Sequence, residues 1–321
     1  MSRPAVKPVT PLPGVEAMVD GGETCRSWRP GYPLDLRAVL APLRRGQGDP
    51  TMRVDTDGTV WRVATTPVGA ATLALRRDGD GTVHATGWGP GAAWALDGLP
   101  ALLGADDDDS AFVSHHPLIT QVRRRMPGLR LGATRRVWDV LMPAVLEQKV
   151  TGVEARRSWR ELCWRFGERA PGPGELRVPP IPAAVRAIPD WEWHRAGVDR
   201  SRRRALLAAA VVAHRLEGAV TLGGKAGRDL LCKVPGIGIW TAAEVAQRAW
   251  ADADAVSIGD FHIPSVVGYA LVGRSLDDEG MLDVLAPYVP QRHRVVRYVE
   301  ASGFRRPRFG PRFSSRDYRA I

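Results

Sequence analysis

Residues 230–269, LLCKVPGIGIWTAAEVAQRAWADADAVSIGDFHIPSVVGY, constrain this chain more than any other stretch. A helical pattern over 228–233 stops at Pro235-Gly236, and a second one, Trp240 to Trp250, starts just after Gly238. The two glycines permit a tight turn with positive φ and keep Cβ atoms away from its backbone. The pattern predicts two helices joined by a hairpin whose amides stay bare. Those N–H groups, with the positive end of the second helix dipole, form a site for one phosphate. Asp260 follows in a short segment, Ser257-Ile258-Gly259-Asp260, outside both helical patterns.

The charge of the chain agrees with such a partner. Its 321 residues carry a formal net charge of +10, which favours a polyanion, most simply nucleic acid. Nearly all the cations are arginine, with lysine only at Lys7, Lys149, Lys225 and Lys233. A coding preference for arginine would give the same excess, so the charge by itself selects little. The length admits one large domain or two to three small ones. Cys25, Cys163 and Cys232 are odd in number, far apart and form no CxxC pair. They suggest reduced thiols in a cytosolic setting and exclude a zinc site of that type. The opening MSRPAVKPVTPLPG has no apolar core for a signal peptide. The apolar run 205–213 is too short to span a bilayer. The expectation is a cytoplasmic, nucleoid-associated protein without membrane contact.

Residues 1–22 read as a disordered leader. A short helix over 33–45 precedes alternating segments at Met52/Val54, Trp61/Val63 and Leu73/Leu75, separated by Asp57-Gly58 and Asp78-Gly79-Asp80-Gly81. That alternation predicts a β-meander of about four strands, with a helix over 91–103 on one face. Together they form an α+β sheet domain over 23–112 that scaffolds rather than catalyses. Asp106 to Asp109 read as a solvated linker, and His115-His116 lack a second ligand pair for a metal. A helical region then covers 113–303. Val137 to Phe166 keep apolar residues at helical spacing, and further helices are expected over 183–188, 194–197, 201–216, 265–271 and 283–301. Arg200, Arg202, Arg203 and Arg204 read either as phosphate contacts or as a solvated face, and Trp191 and Trp193 as core or groove lining. Residues 304–321 form a basic tail interleaved with aromatics, either a DNA contact or an extension with no specific role.

The run Pro235-Gly236-Ile237-Gly238, the following Trp240-Thr241-Ala242 and the offset of Asp260 together resemble the helix-hairpin-helix/Gly-Pro-Asp superfamily of DNA glycosylases. The similarity is greatest to its bacterial 3-methyladenine DNA glycosylase II branch, and an unrelated αα-hairpin is the alternative. The resemblance implies an α+β fold: an N-terminal antiparallel β-sheet domain, then a two-lobed all-helical domain with the helix-hairpin-helix motif near 228–250. It implies a monofunctional enzyme that hydrolyses the N-glycosidic bond of a damaged, alkylated purine in double-stranded DNA by base flipping, leaving an abasic site.

The resemblance also distributes roles. Asp260 falls on the catalytic carboxylate, which stabilises an oxocarbenium-like transition state and orients a water. Val234, Gly236, Ile237, Gly238 and Thr241 fall on the DNA-binding hairpin, where the carbonyls of Lys233, Val234 and Gly236 could hold a monovalent cation. Gln148 and Lys149 fall where the family faces the minor groove. There an apolar residue follows the glutamine and fills the gap of the flipped base, so Lys149 departs from the pattern. It could reach a phosphate or the orphaned base, or stay solvated. Trp240 stands where strand-cutting members carry a Schiff-base lysine, so no lyase activity is expected, and an indole there could stack on a cationic alkylated base. Glu244 and Glu300 replace pocket aromatics of the family. They could attract a cationic base, or mark a different substrate or an inactive pocket. No iron–sulfur cluster is expected, because no cysteine follows Cys232. Two rivals stay open: a non-catalytic DNA-structure binder that kept the hairpin, and a glycosylase for deaminated or oxidised bases.

Overall fold

The computed structural model of the protein describes residues 18–20 and 22–307. The strands are β1 (Met18–Asp20), β2 (Glu23–Trp28), β3 (Met52–Val54), β4 (Val60–Thr66), β5 (Gly69–Arg77) and β6 (Val83–Trp88). They form one antiparallel sheet in the order β1-β2-β6-β5-β4-β3. The expected meander is β3 to β6, closed by the Asp-Gly turns that the alternation required. The other two strands are additions to the expectation. β1 lies within the expected leader, of which residues 1–17 and 21 fall outside the described ones. β2 escaped notice because its inward residues include Arg26, which is buried and donates to the Leu96 carbonyl at 2.8 Å. A guanidinium breaks the apolar alternation that a strand search relies on.

Helices α1 (Leu36–Leu40), α2 (Ala92–Asp97) and α3 (Leu99–Leu102) complete this domain. Leu40, Leu73, Leu75, Leu99 and Leu103 share its core. The helix expected over 91–103 is two helices, divided at Gly98.

The remaining helices are α4 (Pro117–Arg125), α5 (Val137–Leu146), α6 (Gly152–Phe166), α7 (Pro182–Ala187), α8 (Asp190–Arg195), α9 (Arg200–Leu216), α10 (Gly218–Leu222), α11 (Gly224–Cys232), α12 (Ile239–Ala249), α13 (Ile263–Val272), α14 (Asp278–Leu285) and α15 (Arg292–Ala301). They form two lobes with separate cores. The first, from α5 to α12, buries Trp138, Leu141, Leu162, Trp193, Leu206 and Leu231. The second joins α4 to α13–α15 through Ile119, Val267, Met281, Leu285, Val295 and Val299. It is therefore built from chain before and after the first lobe, and residues 250–262 cross between them.

The continuous pattern over 137–166 is broken in the structure. Lys149 adopts φ +53°, which no helix interior accommodates. Thr151 then starts α6 with a capping box: Glu154 N–H donates to its hydroxyl, and its own N–H donates to the Glu154 carboxylate at 2.8 Å. The expected single helix over 283–301 is likewise interrupted, between α14 and α15, where Pro287 and Pro290 fall.

The acidic run is solvated only in part: Asp106 and Asp108 are exposed, but the other two aspartates are engaged. Asp107 is buried, receives the Leu131 N–H at 2.9 Å and pairs with the buried Arg294 of α15. Asp109 pairs with Arg123 and Arg130. Of the two tryptophans assigned to core or groove, Trp193 is buried at 1% exposure and Trp191 is 61% exposed.

Candidate active site and nucleic-acid interface

The hairpin forms where the sequence places it. Gly236 has φ +87°, and a Cβ there would lie 2.7 Å from the Ala205 Cβ, so only glycine fits. Gly238 differs from the expectation of two positive-φ glycines. Its backbone is extended, at φ −96° and ψ −177°, and nothing lies within 4 Å of its missing Cβ. It serves as N-cap of α12 with no side chain capping the first turn. The amides of that turn are thus left for an outside acceptor.

Val234 and Ile237 are buried in the first lobe's core, so their side chains anchor the hairpin and only their backbone can meet a ligand. Thr241 is also buried, and its hydroxyl accepts from Gln148 Nε2 at 2.8 Å. The same Gln148 amide donates to the Gly236 carbonyl at 3.0 Å. Gln148 is therefore a clamp between the two segments rather than a side chain projecting from them. Behind it, the buried Arg202 donates to the Leu146 carbonyl at 2.8 Å and fixes the end of α5. Arg202 is structural, not a phosphate contact. Lys149, at the tip of this turn, is exposed.

Two of the three hairpin carbonyls expected to hold a monovalent cation each accept one hydrogen bond, through one of two lone pairs. Val234 O already accepts from Ile237 N at 3.0 Å, and Gly236 O accepts from Gln148.

Asp260 is half-buried and turned towards the hairpin. Its Oδ2 accepts from Trp240 Nε1 at 3.0 Å, and its Oδ1 accepts from the backbone N–H groups of His262 at 2.7 Å and Ile263 at 2.9 Å. Three donors from two elements fix one rotamer. Asp260 does cap the start of α13, as an ordinary surface aspartate might do elsewhere, but the indole ties it to α12 as well. The neighbours Phe261 and Ile239 are 70% and 61% exposed.

A cavity of about 280 Å³ is lined by Ser257 and Ile263, which precede and follow Asp260 in the chain, while Asp260 itself does not line it. Its walls come from α12 (Gln247, Arg248), α15 (His293, Arg297, Glu300) and, unexpectedly, the N-terminal domain (Pro42, Arg44). Glu300 lines it, paired with Arg297 at 2.5 Å. Trp240 does not line it, because its ring edge is held against Asp260. Glu244 does not line it either. It is 7% exposed, with Oε1 accepting from the Ser257 hydroxyl at 2.5 Å and Oε2 from Arg248 Nη1 at 2.8 Å. Helical spacing put Glu244 on the pocket face; the guanidinium one turn later stands in front of it.

Arg248 also donates from Nε to the Pro42 carbonyl at 3.1 Å. Burial works against its charge, but the Glu244, Glu147 and Glu300 carboxylates outweigh burial and hold it protonated more firmly than usual. Burial, with Arg297, Arg248 and Arg294 around it, keeps His293 neutral far below the usual histidine range. Arg44, Arg248 and His293 carried no sequence signal. They come from three distant segments, and only packing brings them to one wall.

No protein-family model matches the chain, and no curated protein sequence matches it. Solved structures do. A 3-methyladenine DNA glycosylase from Archaeoglobus fulgidus, 15% identical, superposes with a TM-score of 0.72 over 87% of this chain and 98% of that one. MBOgg1, solved with a low-affinity DNA ligand and 15% identical, gives 0.70 over 90% and 98%. An 8-oxoguanine glycosylase/lyase from Clostridium acetobutylicum, 12% identical, also gives 0.70 over 90% and 98%. The chain has the fold of these DNA glycosylases, with an N-terminal antiparallel sheet and a helical domain carrying the hairpin. Among the described residues, no helix is long and apolar enough to cross a membrane.

Proposed function

We propose that the protein is a monofunctional DNA glycosylase that releases a damaged purine from duplex DNA in base excision repair. The observation that carries this reading is the Asp260 carboxylate, fixed by Trp240 Nε1 at 3.0 Å beside the uncapped start of α12 at the hairpin. The extended backbone at Gly238 and the amides that follow bind one phosphate of the damaged strand. The nucleotide is extruded, since the glycosidic bond cannot be reached in the stack, at a cost of a few kcal/mol. Lys149, on its left-handed turn, enters the space that the base leaves.

Breaking the bond builds positive charge on C1′ and the ring oxygen. Asp260 stabilises that charge and orients the attacking water. The indole N–H holds the carboxylate in place without neutralising it. Position 240 offers no amine for a Schiff base, so the product is an abasic site on an intact strand. The family resemblance made alkylated purines the expected lesion, through stacking on Trp240.

The test is base release from duplexes that carry alkylated, deaminated or oxidised purines, with Asp260→Asn beside the native protein. The expected loss is at least about 10²-fold, the size of removing a major transition-state electrostatic contact. Affinity for an abasic duplex should persist in that variant. Undiminished release by Asp260→Asn would remove the mechanism. Tight abasic binding with no release by the native protein would favour the non-catalytic binder.

A further inference from the structure

We propose that the segment following α15 supplies a second backbone contact to DNA, in which Arg306 holds a phosphate at the α13 side of Asp260. The inference rests on the duplex binding of the reading above and adds a site that neither the hairpin nor the cavity contains.

The path of the segment places the guanidinium. Gly303 turns the chain away from α15 at φ +76°. Arg125 of α4 donates to the Ser302 carbonyl at 2.9 Å, and the Phe304 N–H donates to the Ser302 hydroxyl at 2.9 Å, so the turn is fixed. Arg306 then reaches the start of α13. Its Nη1 donates to the Ser265 hydroxyl at 3.0 Å and its Nη2 to His262 Nδ1 at 3.2 Å. The Ser275 hydroxyl donates to the same Ser265 oxygen at 3.1 Å. Ser265 is buried, whereas Arg306 keeps part of its surface in solvent.

The protein's own carboxylates do not account for a cation there. Asp260 is the acid at the start of α13, yet its oxygens accept from Trp240 Nε1 and from the His262 and Ile263 N–H groups, and it forms no ion pair with Arg306. Among the described residues, neither Arg306 nor its exposed neighbour Arg305 has a carboxylate partner. The positive end of the α13 dipole repels a guanidinium rather than holding it. What the arrangement lacks is an anion from outside. A phosphodiester fits, because a guanidinium carries more N–H groups than the two engaged here and can fork onto phosphate oxygens. The site also lies where the backbone of a bound strand passes. Asp260 is hydrogen-bonded to the start of α12 through Trp240 and to the start of α13 through Ile263. A sugar held at Asp260 is then next to both helix starts, with the hairpin amides at one and Arg306 at the other. The sequence goes on with Arg308, Arg312, Arg316 and Arg319 against Asp317. Those residues, the greater part of the expected basic tail, lie outside the described ones.

The experiment titrates an abasic duplex with the full chain at salt concentrations from about 50 to about 200 mM. It compares the native protein with Arg306→Gln, Arg306→Lys and Arg77→Gln. Arg77 is exposed at the end of β5 and controls for the loss of one charge. Arg306→Gln should weaken binding at the low-salt end by about threefold or more. It should also flatten the plot of log affinity against log salt by about 0.9, the share of one phosphate contact. Arg306→Lys keeps the charge and loses the fork, and should recover the slope. Arg77→Gln should keep the native slope. A native slope in Arg306→Gln, or an equal flattening in Arg77→Gln, overturns the contact. A lysine variant that follows the glutamine one also overturns it, because Arg306 would then serve only to hold Ser265 and His262 in place. Duplex binding without base release from any lesion duplex removes the enzyme reading and leaves this contact standing. Base release with an unchanged slope in Arg306→Gln does the reverse, and a native protein that binds no duplex overturns both.

Discussion

At Asp260 and Trp240, a donor and an acceptor 20 residues apart share one hydrogen bond of 3.0 Å. The indole here orients an acid, a different task from holding a base on its face. Trp240→Phe keeps a smaller aromatic ring at this position and removes the N–H. The expected outcome is a fall in base release of roughly tenfold, within the range for a group that positions a catalytic residue, with a small change in melting temperature. A drop in stability equal to that of a core deletion would show instead that the ring acts only as packing. The two hairpin glycines should separate by the same kind of logic. Gly236→Ala meets both a positive φ and the Ala205 Cβ at 2.7 Å, and should cost about 1–3 kcal/mol in denaturant unfolding. Gly238→Ala meets open space at an ordinary φ and should leave stability within about 0.5 kcal/mol. Its added methyl stands at the uncapped helix start, so duplex affinity is the quantity expected to fall.

Among elements, the turn between α5 and α6 matters most to the site. It displays Lys149 and lets Gln148 clamp the hairpin. Its geometry depends on Arg202 closing the end of α5 and on the Thr151 capping box opening α6. Thr151→Ala should lower stability by about 1 kcal/mol, measured by urea unfolding. It should also weaken binding to an abasic duplex, because the clamp shares that turn. Unchanged affinity at the lowered stability would detach the turn from the DNA surface. The hairpin helices were legible in sequence because Pro235, Gly236 and the following apolar spacing are local signals. The α5–α6 break was not, because the apolar spacing runs through it and the φ of Lys149 is imposed by what packs on either side. Likewise β2 hides behind Arg26, whose burial depends on a carbonyl 70 residues away.

At the scale of the molecule, the cavity depends on three parts meeting. The N-terminal domain, expected to be a scaffold, contributes Pro42 and Arg44 to the wall. Asp107 pairs with Arg294 where that domain meets the second lobe, and Asp139 of α5 accepts the Thr65 N–H of β4 at 3.1 Å. Crowding cations around buried His293 has a measurable consequence. Its folded pKa is depressed by burial and by Arg297, Arg248 and Arg294, below the ordinary 6.5. The unfolded chain therefore binds the proton first as pH falls. The contribution is complete above about 6.5 and is lost progressively below it, towards the depressed folded value. Asp139 and Glu217, raised by burial from 3.8 and 4.5, act with the opposite sign at lower pH, between their raised and ordinary values. Comparing the native protein with His293→Phe isolates the histidine. Between about pH 7 and pH 5 the native melting temperature should fall more than that of the variant. Parallel curves would show that His293 is protonated in the folded state.

The sequence by itself determined the hairpin, the offset of Asp260, the β3–β6 meander and the helical lobes, since each rests on residues near one another in the chain: turn glycines, a proline, periodic apolar side chains. Tertiary structure alone decided which face of α12 meets the cavity, why Glu244 withdraws behind Arg248, and that Arg44 joins the wall from some 200 residues away. Those outcomes depend on the match of charge and volume between segments that no local pattern relates, and burial makes each mismatch expensive enough to select a single arrangement.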